Sequence, residues 1–139
     1  MNAMVMERKP AATAAAGERA FFSVRNLHGY YGDSYIVQGV SFDIQKGRIL
    51  ALLGRNGAGK TSTLRLIARA DMPTLKEGEI WLDGQAIHPL HGYRAAQAGI
   101  QLVQEDRRII AGLSVEENLI LAQVAPGLGW ELERIYSHF

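Results

Sequence analysis

Arg48-Ile49-Leu50-Ala51-Leu52-Leu53 is a continuous apolar run of strand length that leads directly into Gly54-Arg55-Asn56-Gly57-Ala58-Gly59-Lys60-Thr61. No other feature of the chain limits its fold so strongly. An apolar run without polar alternation fits a strand buried on both faces, as in a parallel sheet. The octet matches G-x-x-x-x-G-K-S/T, and each fixed position has a physical reason. Glycines let the backbone wrap closely around phosphates and turn successive N–H groups inward. A helix that begins at the lysine adds a positive dipole end and unsatisfied amides. Lys60 supplies a mobile point charge for β and γ phosphates, and the Thr61 hydroxyl is placed to ligate Mg²⁺. Ser62 comes next and can hydrogen-bond a further phosphate oxygen. A helical stretch is expected over about 60–70, with Leu64, Ile67 and Ala68 at i, i+3, i+4 spacing and Pro73 blocking its continuation. A Gly-rich turn with an incidental surface lysine would explain the glycines but neither flank.

Around this segment the chain alternates β-like and helical patterns. Residues 21–27 are β-rich, and 29–32 read as a turn that holds two adjacent tyrosines. Residues 36–44 contain period-2 stretches with Val40, Phe42 and Ile44 on one side, and Lys46-Gly47 is a turn. Residues 79–82 and 85–87 flank Asp83-Gly84, the strongest short-range hairpin signal, because Gly tolerates the positive φ of a type I′ turn. A short helix is expected over 93–98 and another strand over 99–103. Ser114-Val115-Glu116-Glu117 is a capping box that opens a helix running to about Val124, with Pro126-Gly127 as its stop. A last helix is expected over 130–139. Residues 1–20 are Ala-rich, show no hydrophobic period and read as a disordered tail, leaving 21–139 as the folded part.

Composition excludes several classes. Lys plus Arg is 15 against 14 for Asp plus Glu, a net charge of +1, which gives no support for a nucleic-acid partner. The chain has no cysteine, so disulfides, Cys-ligated zinc and thiol nucleophiles are excluded. His28, His88, His91 and His138 show no metal-ligand spacing. No apolar stretch approaches the ~20 residues a membrane-spanning helix needs, so any link to a membrane goes through a partner.

Tyr31-Gly32, Val40-Ser41-Phe42, Gly47 and residues 51–61 together resemble the ATP-binding subunits of ABC transporters, with the octet as their Walker A motif. Gly78-Glu79-Ile80-Trp81-Leu82-Asp83-Gly84 is similar to the antiparallel hairpin that follows in that family. Glu105-Asp106-Arg107-Arg108-Ile109-Ile110, then Leu113-Ser114-Val115-Glu116-Glu117-Asn118-Leu119, resembles the subgroup that powers branched-chain amino acid uptake. That subgroup usually reads V-P-E-G-R-R-I-F and then L-T-V-E-E-N-L. The resemblance covers essentially all of 21–139. It implies an α/β fold, a P-loop NTPase of the ABC type with an antiparallel β subdomain. ATP and Mg²⁺ are the implied cofactors. Transmembrane permease subunits and a second ATP-binding subunit are the implied partners, with a cytoplasmic position peripheral on the inner face of the cell membrane.

Residue by residue, the resemblance implies that Tyr31 stacks on adenine, with Tyr30 as the competing candidate. It gives Gly54, Asn56, Gly57, Ala58, Gly59, Lys60, Thr61 and Ser62 to the phosphates, and Thr61 and Glu105 to Mg²⁺. Glu105 falls where the family has its Q-loop glutamine. Gln104 stands where the subgroup usually has Pro, which leaves open a shifted register with Gln104 as the contact. The loop that holds Arg107 and Arg108 is expected close to where such an ATPase meets its membrane subunits. The family also carries a signature resembling L-S-G-G-Q, an apolar strand ending in Asp, a following Glu that polarises water, and a switch His. None occurs in these 139 residues. The chain is therefore expected to be truncated before the signature motif and the Walker B strand. It would hold no catalytic residue, and would bind ATP without efficient hydrolysis. Two alternatives stand beside this reading. Another P-loop enzyme, a nucleotide kinase or GTPase, leaves Tyr31 and the hairpin unexplained. A remnant that binds no nucleotide would show no saturable titration.

Overall fold

A computed structural model describes residues 20–106, 109–123 and 131–138 of the protein. The expected tail, apart from Ala20, and the Pro126-Gly127 stop lie outside the described residues. The chain divides into two compact units, Met1–Ile100 and Gln101–Phe139.

The first unit holds β1 (Phe22–Tyr31), β2 (Ser34–Ile44), α1 (Lys60–Ile67), β3 (Thr74–Leu82), β4 (Gln85–Ala86) and α2 (Gly92–Gln97). The strands form one antiparallel sheet in the order β2-β1-β3-β4. β1 is central, pairing Phe22 with Ile44 on one side and with Leu82 on the other. Val24 and Leu27 are both buried although three positions apart, which a regular strand does not allow. A bulge resolves this: the register shifts between Val24 and Leu27, and Asn26 takes a left-handed φ of 46°. The bulge is held on both sides. The Asn26 amide donates to Ser41 Oγ at 2.8 Å, and its side-chain Nδ2 donates to Glu77 Oε1 at 3.0 Å. After the bulge, Leu27, Gly29 and Tyr31 share one face, and His28 and Tyr30 share the other.

The core is Val24, Leu27, Val37, Leu66, Ile67, Ile80, Ile87 and Ala95, all in this unit. α1 buries Thr63, Leu66 and Ile67, whereas Leu64 of the expected stripe faces outward. The helix stops at Ile67, short of the expected 70, because Arg69 turns left-handed at φ 55° and donates Nε to Leu90 O at 3.1 Å. Burial pulls the Arg69 guanidinium pKa down. Asp83 and Gly84 have φ of 46° and 82°, the pair a type I′ turn requires, so the β3–β4 hairpin forms as its sequence predicts.

Three expectations are corrected. Residues 29–32 are not a turn: β1 continues to Tyr31, and the reversal falls at Gly32 and Asp33. Gly29 serves packing instead, since a Cβ there would stand 2.3 Å from Leu66 Cδ1. The run 48–53 is not a strand, and Ile49 is 98 % exposed. Nor do residues 99–103 form one, and Val103 is 94 % exposed. The reason is common to both. An apolar run becomes a strand only when neighbours complete its hydrogen-bond ladder. Among the described residues, the four strands pair only with one another.

In the second unit, α3 (Val115–Ala122) and α4 (Leu132–Tyr136) bury no side chain fully. α4 is shorter than the expected 130–139. α3 begins with the predicted capping box: Ser114 Oγ accepts from the Glu117 amide at 3.2 Å, and Glu117 Oε2 accepts from the Ser114 amide at 2.7 Å. Asn118 clamps the preceding loop, donating Nδ2 to Ile110 O, Leu113 O and Ser114 O and accepting from the Ile110 amide at 2.9 Å.

Two outcomes follow from this geometry. Gly78 has φ 114°, and a Cβ there would lie 2.5 Å from Asn26 O and 2.7 Å from Leu27 Cα, both backbone atoms. Gly78→Ala should cost at least about 2 kcal/mol in chemical denaturation. Gly32→Ala, at φ 57° with nothing within 4 Å, should cost only about 1 kcal/mol. The Ser114 amide bond to Glu117 holds that carboxyl below its ordinary value of 4.5. Its support of α3 is therefore complete above the ordinary value and is lost as pH falls through the lower folded one. Amide shifts over 115–122 should lose their helical signature in that acid window, and Glu117→Gln should flatten the dependence.

Candidate functional site

The candidate site is built where β2 backs the start of α1. Gly59 caps the helix with φ 83° and no side-chain cap, and Gly57 has φ 82°. A Cβ at Gly59 would meet Ile36 O of β2 at 3.2 Å, a tight contact, and the positive φ already disfavours a side chain there. At the other end of the loop, a Cβ at Gly54 would meet Ala58 Cβ at 3.3 Å. The Ala58 amide closes the turn on Arg55 O at 3.1 Å. The loop is thus a tight backbone ring fixed against the sheet.

Lys60 lies across this ring. Its Nζ donates to Gly54 O at 2.8 Å and to Arg55 O at 2.9 Å. Thr61 and Ser62 follow in the first helical turn, both half-buried. The first-turn amides of a helix have no intrahelical acceptor, and the macrodipole places partial positive charge there. The first turn of α1 carries no acidic residue to compensate it. Thr63 is buried and satisfies its hydroxyl internally, donating to Gly59 O at 2.9 Å. An ammonium, a dipole end and a glycine-rich backbone cradle together suit a polyphosphate, so the residues present fit the nucleotide that their motif implies.

The two tyrosine candidates separate by face. Tyr31 lies on the α1 side of β1, and its hydroxyl accepts from Arg65 Nη1 at 3.3 Å. Tyr30 points to the opposite face, where it stacks on Tyr35 at 4.6 Å with planes 6° apart. Tyr35 also stacks on His28, and its hydroxyl is hydrogen-bonded to His28 Nδ1. Desolvation, then the neighbouring Tyr30 and Glu77, push the Tyr35 phenol pKa up. Tyr30 is thus engaged in an aromatic stack that braces the hairpin from the far side.

Tyr31 and residues 54–62 therefore belong to one unit and are organised around one helix. Gln104 and Glu105 belong to the other unit, where Gln104 is half-buried and Glu105 lies exposed in a bend. Arg107 and Arg108 lie outside the described residues. Among the described residues, no group of three or more His, Asp or Glu side chains forms a ready metal centre. Arg65 is the residue that sequence reasoning misses. It lies on no recognised motif position, and only the packing of α1 on β1 brings it to Tyr31.

Comparison with known proteins agrees with this architecture. The family profile described as ABC transporter matches residues 37–139. The chain is 31% identical over 103 residues to an arabinose import ATP-binding protein, AraG, of Burkholderia pseudomallei, covering 74% of this chain and 20% of that protein. It is 38% identical over 108 residues to a probable ABC transporter ATP-binding protein of Azorhizobium caulinodans, covering 78% of this chain and 36% of that protein. It is 37% identical over 98 residues to ribose import ATP-binding protein RbsA 2 of Escherichia coli O157:H7, covering 70% and 19%. The chain thus spans between 19% and 36% of the length of these relatives. Among solved structures, an ATP-binding cassette of an ABC transporter in its ADP conformation matches with TM-score 0.53 and 22% identity, over 59% of this chain and 32% of that one. A nucleotide-free ATP-binding cassette matches with TM-score 0.55 and 19% identity, over 83% and 49%. These likenesses show the fold. Taken with the profile match and the loop-and-helix geometry, they make the chain a member of the ABC transporter family, within its ATP-binding domain.

Proposed function

We propose that this chain is the ATP-binding part of an ABC importer and that residues 54–62 hold the triphosphate of ATP with Mg²⁺. One observation carries the reading. The Lys60 ammonium lies 2.8 and 2.9 Å from two loop carbonyls, at a helix start that has no acid and is pressed against β2. Lys60 would meet the β and γ phosphates, and Gly54, Asn56, Gly57, Ala58 and Gly59 would wrap them. Ser62 would take a further phosphate oxygen. The Thr61 hydroxyl would ligate Mg²⁺, a hard cation that takes oxygen ligands. Tyr31 would offer its ring to adenine, an apolar and π contact. Bound Mg²⁺ neutralises phosphate charge. Phosphoryl transfer is mostly positioning plus charge stabilisation, and residues 54–62 would supply the phosphate cradle. Alone it would bind ATP and turn it over slowly.

In the whole transporter, the reading gives it transmembrane permease subunits and a second ATP-binding subunit as partners, at the inner face of the membrane. The cargo has two supports that differ. The wording of residues 105–119 favours branched-chain amino acids, as its resemblance implies. The names of the AraG and RbsA 2 relatives favour a sugar. ATP-binding subunits of this family do not contact cargo, so uptake decides. In cells that carry the transporter, Lys60→Ala should abolish uptake of one labelled class, leucine or arabinose, and leave the other unchanged.

Titration of the full chain with Mg-ATP should saturate, and Lys60→Ala should weaken it about tenfold or more, the scale of a lost charge-assisted contact. Equal affinity in the two proteins would contradict the phosphate assignment. A preference for guanine nucleotides, or transfer to a phosphoacceptor, would favour a GTPase or kinase instead.

A further inference from the structure

We propose that Arg65 is a positioning residue for the base side of the site. It holds the Tyr31 phenol, and so ties the adenine-facing ring to the helix that carries the phosphate loop. The inference rests on the ATP reading given above. Its grounds are the way β1 presents its side chains and the way α1 lies on them.

Leu27, Gly29 and Tyr31 share the α1 face of β1. Leu66 occupies the space that a Cβ at Gly29 would need, at 2.3 Å, so α1 is seated directly over this face. Arg65, adjacent to Leu66, is thereby brought to the end of the strand. Its Nη1 donates to the Tyr31 hydroxyl at 3.3 Å across a separation of 34 residues. Both residues are half-buried. A guanidinium donor makes this contact charge-assisted, and its planar fork restricts the geometry. Tyr31 needs such a tether. It is the last residue of β1, opposite Ser34, beside a two-residue reversal. Tyr30 is braced by the Tyr35–His28 stack on the other face, whereas the Tyr31 phenol is held from the α1 side by Arg65. Along α1, Arg65 lies about 7.5 Å from Lys60 at the helical rise per residue. One rigid element thus sets the spacing between the charge that meets phosphate and the ring that meets the base. Fixing the ring before binding removes an ordering cost that the ligand would otherwise meet.

The test compares Mg-ATP with Mg-tripolyphosphate, which has the charge and lacks the base. Both are titrated into the full chain as wild type, Tyr31→Phe, Arg65→Met, the double variant and Lys60→Ala. Arg65→Met and Tyr31→Phe should each weaken ATP by about threefold to tenfold and leave tripolyphosphate within about twofold. The double variant should be no weaker than Arg65→Met alone, because both changes break one bond. Tyr31→Phe keeps the ring and the charge, so it reads the bond even where Arg65→Met fails to fold. An equal loss for both ligands in Arg65→Met, additive losses in the double variant, or unchanged ATP affinity in Tyr31→Phe would each overturn the role of Arg65. Failure of the underlying reading looks different. Tripolyphosphate binding that is absent, or indifferent to Lys60→Ala, would overturn the phosphate site and the inference with it.

Discussion

The seating of Leu66 over Gly29 is the contact on which the arrangement depends. Leu66 is fully buried, worth roughly 2–3 kcal/mol of burial, and it reaches the strand backbone only because Gly29 has no side chain. That approach fixes the position of α1 on the sheet. Once α1 is fixed, its N-terminus meets β2 at Gly59 and Ile36, and its flank meets Tyr31 through Arg65. In the proposed function, a phosphate loop and a base-stacking ring must keep a set distance to hold one nucleotide. Here a single buried leucine on a short helix governs both.

The bulge in β1 makes this contact possible. Without the extra residue near Asn26, the strand beyond it would turn its other face to α1. Tyr30 and His28 would then meet the helix, and Gly29 would face away. Asn26 accepts the left-handed backbone and ties the bulge to β2 through Ser41 and to β3 through Glu77. Gly78 completes the arrangement by letting β3 pass close to the bulge backbone. Side-chain phase along one strand therefore decides which tyrosine stands beside the helix.

What the sequence reveals and conceals divides along physical lines. The glycine-rich octet, the Asp83-Gly84 hairpin and the Ser114–Glu117 box are legible because each is a local arrangement, settled by dihedral preferences and by bonds within a few residues. The runs 48–53 and 99–103 read as strands because their composition is right. Strand formation, though, needs a neighbour, and composition does not say whether one is present. Gly29 suggests a turn in sequence, since nothing local distinguishes a glycine that permits φ freedom from one that admits a leucine. Arg65 is invisible for a related reason, as its partner lies 34 residues away and the bond exists only through packing. The family is legible from the loop and hairpin. The cargo is not: the wording of residues 105–119 and the names of the AraG and RbsA 2 relatives point to different classes.

In the proposed function, the loop at the start of α1 is the phosphate cradle and Tyr31 belongs to the same site. Amide hydrogen exchange of the full chain, with and without Mg-ATP, tests it most directly. Protection is expected to concentrate in residues 54–62 and at the end of β1 around Tyr31. Protection that leaves both segments unchanged while appearing elsewhere would contradict it.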